Sequence, residues 1–151
     1  MIEVAIKNIM FYKTTSKKNI MALTFKVSTI INASKEQLYN AWLNSTEHNA
    51  MTEGSTAEAS HEIGATHKAH GGYCWGKNLE LIPHSKIIQS WRNADFAEQD
   101  EDSKIEVLFD EQKRKTKITL IHSNVPEKES AVKQGWVDFY FEPMKRYFAN
   151  K

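Results

Sequence analysis

From Leu23 the chain alternates between apolar and polar residues. Leu23, Phe25, Val27 and Ile31 fall on one face and Thr24, Lys26 and Ser28 on the other, which predicts a half-buried strand. Asn32-Ala33 ends it. Ser34-Lys35-Glu36-Gln37 then reads as a capping box, with Ser34 as N-cap and Gln37 reaching back. The helix that follows places Leu38, Ala41 and Trp42 on one face, and polar residues Asn44 to Asn49 suggest a break and a second short helix to Met51. Gly54–His61 is small and polar, a loop or a weak edge strand. A short strand is expected from Gly64 to Ala69, a glycine turn at His70-Gly71-Gly72, and a longer strand from Tyr73 to Ile82. Lys86–Arg92, Lys104–Phe109 and Thr116–His122 complete a run of strands joined by short turns, which is an antiparallel meander. Asn124-Val125-Pro126 is read as the stop of the sheet.

After Glu129 the period becomes helical. Val137, Phe141, Met144 and Phe148 form one stripe. Val132, Trp136, Phe139, Tyr140, Pro143 and Tyr147 form a second, about a quarter turn away. An apolar arc this broad implies a helix covered on more than one side. Pro143 is expected to kink it, since proline lacks the backbone donor. The elements define an α+β fold: a curved antiparallel sheet of about six or seven strands wrapped around a long C-terminal helix, with two short helices after the first strand. That is the helix-grip arrangement.

Composition adds little to this picture and removes several alternatives. The 151 residues suit one domain, with 40% apolar and 26% charged residues, and the net charge is only +1. Nothing in that balance points to nucleic acid, and no basic stripe interleaved with aromatics occurs. Residues 1–20 carry four lysines (7, 13, 17 and 18) against Glu3, a net of +3, which leaves 16 basic and 18 acidic residues in the remainder. The first twenty residues make a poor signal peptide and are expected to be a loosely attached leader or an over-extended start, with one domain over 21–151. No apolar run approaches the ~20 residues that span a bilayer. The lone Cys74 has no internal disulfide partner, which fits a reducing cytoplasm.

Three local runs carry a resemblance. Gly76-Lys77-Asn78-Leu79-Glu80-Leu81-Ile82-Pro83 with Lys86-Ile87-Ile88-Gln89-Ser90-Trp91-Arg92 resembles the central strands of the family named after the activator of heat-shock protein 90 ATPase. Thr119-Leu120-Ile121-His122-Ser123-Asn124-Val125-Pro126 resembles its last strand and following loop. Gly135-Trp136, Tyr140-Phe141 and Pro143 resemble its C-terminal helix. The similarity covers roughly residues 21–150 and reaches the wider START-like superfamily. It implies a helix-grip fold with a cavity for an apolar ligand, and by its name a co-chaperone role.

Trp75, Trp91, Trp136 and Tyr140 are candidates to line such a cavity, together with Trp42 and Leu79; each also fits an ordinary core. His122 shares a face with Ile118 and Leu120, so it points inward, as a polar anchor, a general base or a hydrogen-bonded core residue. Arg92 should face the opposite side from Trp91 in a solvated ion pair. His61, His67 and His70 lack the spacing of a zinc motif, so no metal or other cofactor is assigned. Cys74 reads as a small buried apolar residue and Glu98–Asp102 as a solvated acidic loop. No phosphate loop, nucleophile elbow or paired-carboxylate motif is found.

Three functions are therefore weighed. The first is binding of an apolar, lipid-like or aromatic small molecule. The second is a stress-related co-chaperone role with heat-shock protein 90. The third is a cyclase or hydrolase using the same cavity, which needs a polar pair such as His122 with Glu80 or Tyr140. The chain is expected to be a monomer or weak homodimer, with an exposed sheet edge near Gly54–His61 as the pairing edge.

Overall fold

In the computed structural model, which describes residues 22–54 and 56–149, strand β1 (Ala22–Ile31) is one edge of a six-stranded sheet. The expectation for residues 1–20 lies outside the described residues. Helices α1 (Lys35–Trp42) and α2 (Ser45–Thr52) follow β1. Then come β2 (Thr66–Ala69), β3 (Cys74–Ile82), β4 (Lys86–Asn93), β5 (Ser103–Gln112) and β6 (Lys115–Pro126). All neighbours are antiparallel, in the order β1-β6-β5-β4-β3-β2. The strand count, the two short helices and the long terminal helix are those of the helix-grip fold.

Strict alternation makes the inner face. Ile87, Gln89, Trp91 and Asn93 of β4 point in, as do Ser103, Ile105, Val107 and Phe109 of β5. On β6 the inward residues are Thr116, Ile118, Leu120 and His122, each 0% exposed. Beyond them β6 continues to Pro126 instead of stopping. Asn124 takes a left-handed φ of 57°, and the register slips between the Leu23↔Val125 and Phe25↔His122 pairs. The bulge lets Val125 bury completely while the ladder carries on.

Strand β3 has the opposite phase from the one its large apolar residues imply. Cys74, Gly76 and Asn78 face inward. A bulge between Asn78 and Glu80 then inserts an unpaired residue, so Leu79 and Glu80 both face out and Leu81 turns back in. Gly76 is inward for a steric reason. His67 of β2 stands opposite it and reaches across the bare backbone to the Ser90 carbonyl of β4, Nε2 to O 2.9 Å. A Cβ on Gly76 would collide with the Ser90 carbonyl and lie 2.6 Å from His67 Nε2.

The Ser34 capping box forms as the sequence implies, with both reciprocal bonds in place. The segment before β2 is not a strand. It makes one bridge, Glu58 with Lys68, and so runs along part of the β2 edge instead of forming an edge strand near Gly54–His61. The loop after β4 is also more ordered than its acidity implies. Arg92, outward from Trp91, donates to the Asp100 and Ala97 carbonyls and to Asp102 Oδ1, and its guanidinium lies over the Phe96 ring.

The C-terminal helix is built of α3 (Val132–Trp136), one π turn (Val137–Phe141) and α4 (Glu142–Ala149). The Glu142 N–H bonds back five residues to the Val137 carbonyl. Pro143 has no N–H to offer Phe139, and the helix widens immediately before it instead of breaking. Phe141, Met144 and Phe148 bury against the sheet, α1 and α2, while Phe139 is 61% exposed.

Candidate functional site

A cavity of about 340 Å³ opens between the β3–β4 end of the sheet and the first half of the C-terminal helix. Cys74 and Trp91 line it from the sheet, and Val132, Gly135, Trp136, Phe139 and Tyr140 line it from the helix. His70 and Tyr73 close one side from the β2–β3 turn, and Asn93, Asp95, Lys128, Glu129 and Ala131 form the remaining wall and rim. The turn places His70 there because His70, Gly71 and Gly72 all adopt positive φ, which two glycines make easy.

Of the residues singled out from the sequence, Trp91, Trp136 and Tyr140 are brought together on the cavity wall. Trp136 lies 4.8 Å from Tyr140 and 5.7 Å from Trp91, ring centre to ring centre. Trp42 and His122 lie behind this wall, 1% and 0% exposed, and do not line the cavity. Trp42 stacks on Tyr140 at 5.0 Å and donates its indole N–H to Gln89 Oε1. Gln89 in turn donates to Asn78 Oδ1, and Asn78 donates to the Ser60 and Glu62 carbonyls. Trp75 and Leu79 are corrections. Trp75 is half-buried on the outer face of the sheet, opposite in phase to Cys74, and Leu79, at the bulge, is 50% exposed.

Two histidines lock the aromatic wall from behind. His48 Nδ1 donates to the Trp42 carbonyl at 2.7 Å, so its bare Nε2 accepts the Tyr140 hydroxyl at 2.8 Å. Burial lowers the His48 pKa to about 4 and raises that of Tyr140. His122 is engaged at both ring nitrogens, by the Trp136 indole at 3.0 Å and Ser103 Oγ at 2.8 Å. Burial lowers its pKa to about 3. Neither polar pair singled out from the sequence, His122 with Glu80 or His122 with Tyr140, is assembled here. Glu80 lies on the outer face paired with Lys86, and the Tyr140 hydroxyl is given to His48, not His122.

Cys74 sits on the cavity floor with its thiol pushed up to about 12 by burial, so it stays protonated and apolar. His61 bonds to Asn40 and His67 to Ser90, so these two do not converge with His70 on one point. Among the described residues no group of three His, Cys, Asp or Glu side chains is placed to hold a metal ion. No helix among them is long and apolar enough to cross a membrane. Asn93, Asp95, Tyr73 and Glu129 are rim residues that sequence reasoning did not single out. Among the described residues, two buried side-chain polar atoms, His70 Nε2 and Asn49 Oδ1, have no hydrogen-bond partner.

The sheet gripping a terminal helix, with an aromatic cavity between them, defines a START-like domain. The model of the activator of Hsp90 ATPase homolog 1-like proteins matches residues 32–149, and the chain belongs to that family. The chain is 26% identical over 140 residues to an activator of 90 kDa heat shock protein ATPase homolog of Dictyostelium discoideum. That match covers 91% of this chain but 36% of the relative, so the chain spans about a third of that protein. Among solved structures, an HSP90 activator from Plasmodium falciparum superposes with a TM-score of 0.75 at 24% identity, over 84% of this chain and 96% of the other. The Aha1 dimer from Colwellia psychrerythraea superposes with a TM-score of 0.70 at 18% identity, over 85% and 98%.

Proposed function

We propose that this protein binds an apolar or aromatic small molecule in the cavity between sheet and C-terminal helix. One observation carries the reading: the Trp91–Trp136–Tyr140 wall is held rigid from behind, and the space in front of it is left unfilled. Hydrogen bonds from the Tyr140 hydroxyl to His48 and from the Trp136 indole to His122 use up their polar atoms on the far side. What they turn toward the cavity is apolar ring surface, suited to apolar contact. Gly135 supports the same reading. A Cβ there would meet only Phe139 Cδ2, at 3.8 Å, so the fold does not require a glycine at that point. A glycine inside a helix costs about 1 kcal/mol relative to alanine, and here its missing side chain keeps the cavity wall open.

The test is a titration of the protein with 2-naphthylmethanol followed by amide and indole NMR. Saturable shifts centred on residues 70–74, 91–95 and 131–140 are expected. An absence of saturable shifts up to the solubility limit of the probe argues against the reading.

A second reading rests on the family match and on the relatives named for activation of heat-shock protein 90. In it the domain engages that chaperone and alters its ATP turnover. Steady-state ATP hydrolysis by purified heat-shock protein 90, with and without this protein, separates the two, and an unchanged rate at saturating protein argues against the second.

A further inference from the structure

The rim of the cavity is acidic in a way that the aromatic wall is not. Three charged residues stand on it: Asp95, Lys128 and Glu129. The Lys128 ammonium is already matched, with Nζ 3.3 Å from Asp100 Oδ2. Neither Asp95 nor Glu129 forms an ion pair among the described residues. Both are held by neutral donors instead. Tyr73 gives its hydroxyl to Asp95 Oδ2 at 2.7 Å, and Asn93 Nδ2 gives a proton to Glu129 Oε1 at 3.3 Å. Asn93, itself 1% exposed, also accepts the Asp95 backbone N–H at 2.8 Å. One buried amide thus positions both carboxylates at the same mouth.

A carboxylate accepts about four hydrogen bonds, so each of these retains unused acceptor capacity beside the cavity. Both charges act on the Tyr73 hydroxyl, whose ionisation is suppressed first by burial and then by these two neighbours. Inside, the lining includes the aromatic rings of Trp136, Tyr140 and Phe139, a surface type compatible with a cation.

We propose that the molecule held in this cavity is a cationic amphiphile: a planar or aliphatic apolar body on the aromatic wall, with a protonated amine at the Asp95–Glu129 rim. The inference rests on the cavity reading above and narrows it to one charge class. An anionic ligand of the same shape would meet two unmatched carboxylates, and a neutral one would leave them without a partner.

Three probes of one shape test it: 2-naphthylmethylamine, 2-naphthylmethanol and 2-naphthoate, titrated by calorimetry near neutral pH and low salt. The amine is expected to bind about tenfold tighter than the alcohol, with the carboxylate weakest, and the ratio should shrink as salt is raised. Asp95→Asn and Glu129→Gln should each lower the amine-to-alcohol ratio, and the double variant should bring it close to one. An alcohol that binds as tightly as the amine overturns the charge inference while leaving the cavity reading intact. A ratio unchanged in the double variant overturns the assignment to these two carboxylates. Failure of all three probes to bind overturns the cavity reading and this inference together.

Discussion

The Trp136 indole N–H donates to His122 Nδ1 at 3.0 Å, and this bond fixes where a fully buried histidine carries its proton. An indole nitrogen can only donate, so Nδ1 is the bare nitrogen. The proton therefore sits on Nε2 and is given to Ser103 Oγ at 2.8 Å, which passes its own to the Trp91 carbonyl at 2.6 Å. Each proton is used once, and the chain ties helix, β6, β5 and β4 together behind the cavity. Nitrogen NMR is expected to show the neutral Nε2–H form of His122 down to about pH 4, since burial holds its pKa to about 3. A protonated imidazole near neutral pH contradicts this. Trp136→Phe keeps the ring but strands Nδ1, and is expected to cost about 2 kcal/mol of stability in urea denaturation.

Burial also makes the fold acid-sensitive. His48 falls to about 4 and His122 to about 3 from an ordinary 6.5, and His67 and His70 shift the same way. Their folded-state values lie below the unfolded value, so the unfolded chain takes up protons first as pH falls. The stability that His48 and His122 contribute is complete above about pH 6.5 and is lost progressively as pH drops toward 4, at up to about 1.4 kcal/mol per pH unit for each. The urea midpoint is expected to drop clearly between about pH 7 and about pH 5. His48→Gln should flatten that dependence, and equal midpoints at both pH values would contradict the account.

Gly76 is a steric requirement. Gly76→Ala would drive a methyl group into the Ser90 carbonyl and against His67, displacing the imidazole that bridges β2 to β4. The cost is expected to be about 3 kcal/mol or more, read from thermal or urea denaturation. A stability within about 0.5 kcal/mol of the original would show that the strands move apart at little cost.

Much of this architecture is legible in local pattern, because strands with one face buried announce their period. Ile105, Val107 and Phe109, or Ile118 and Leu120, can face only one way. The capping box at Ser34 and Gln37 is likewise a contact between near neighbours in sequence. Strand β3 misleads because its inward residues are chosen by distant partners. Gly76 faces in to make room for His67, and Asn78 faces in because Gln89 and the carbonyls of residues 60 and 62 satisfy it. Hydrophobicity alone therefore assigns Trp75 and Leu79 to the wrong side. The acidic rim was hidden for the same reason: Asn93 and Glu129 meet across 36 residues of chain, a proximity that only the completed sheet creates.

Gly135 is where the central claim is most directly exposed. Gly135→Ala should fit without strain and raise helix stability by about 0.5–1 kcal/mol. Gly135→Leu should instead extend into the space before Trp136 and Tyr140. The decisive measurement is the affinity for 2-naphthylmethanol of the original protein and of the leucine variant, beside their melting temperatures. The account expects the variant to melt no lower and to bind at least about tenfold more weakly. Unchanged affinity in the folded leucine variant would place the ligand elsewhere and contradict the assignment of function to this cavity.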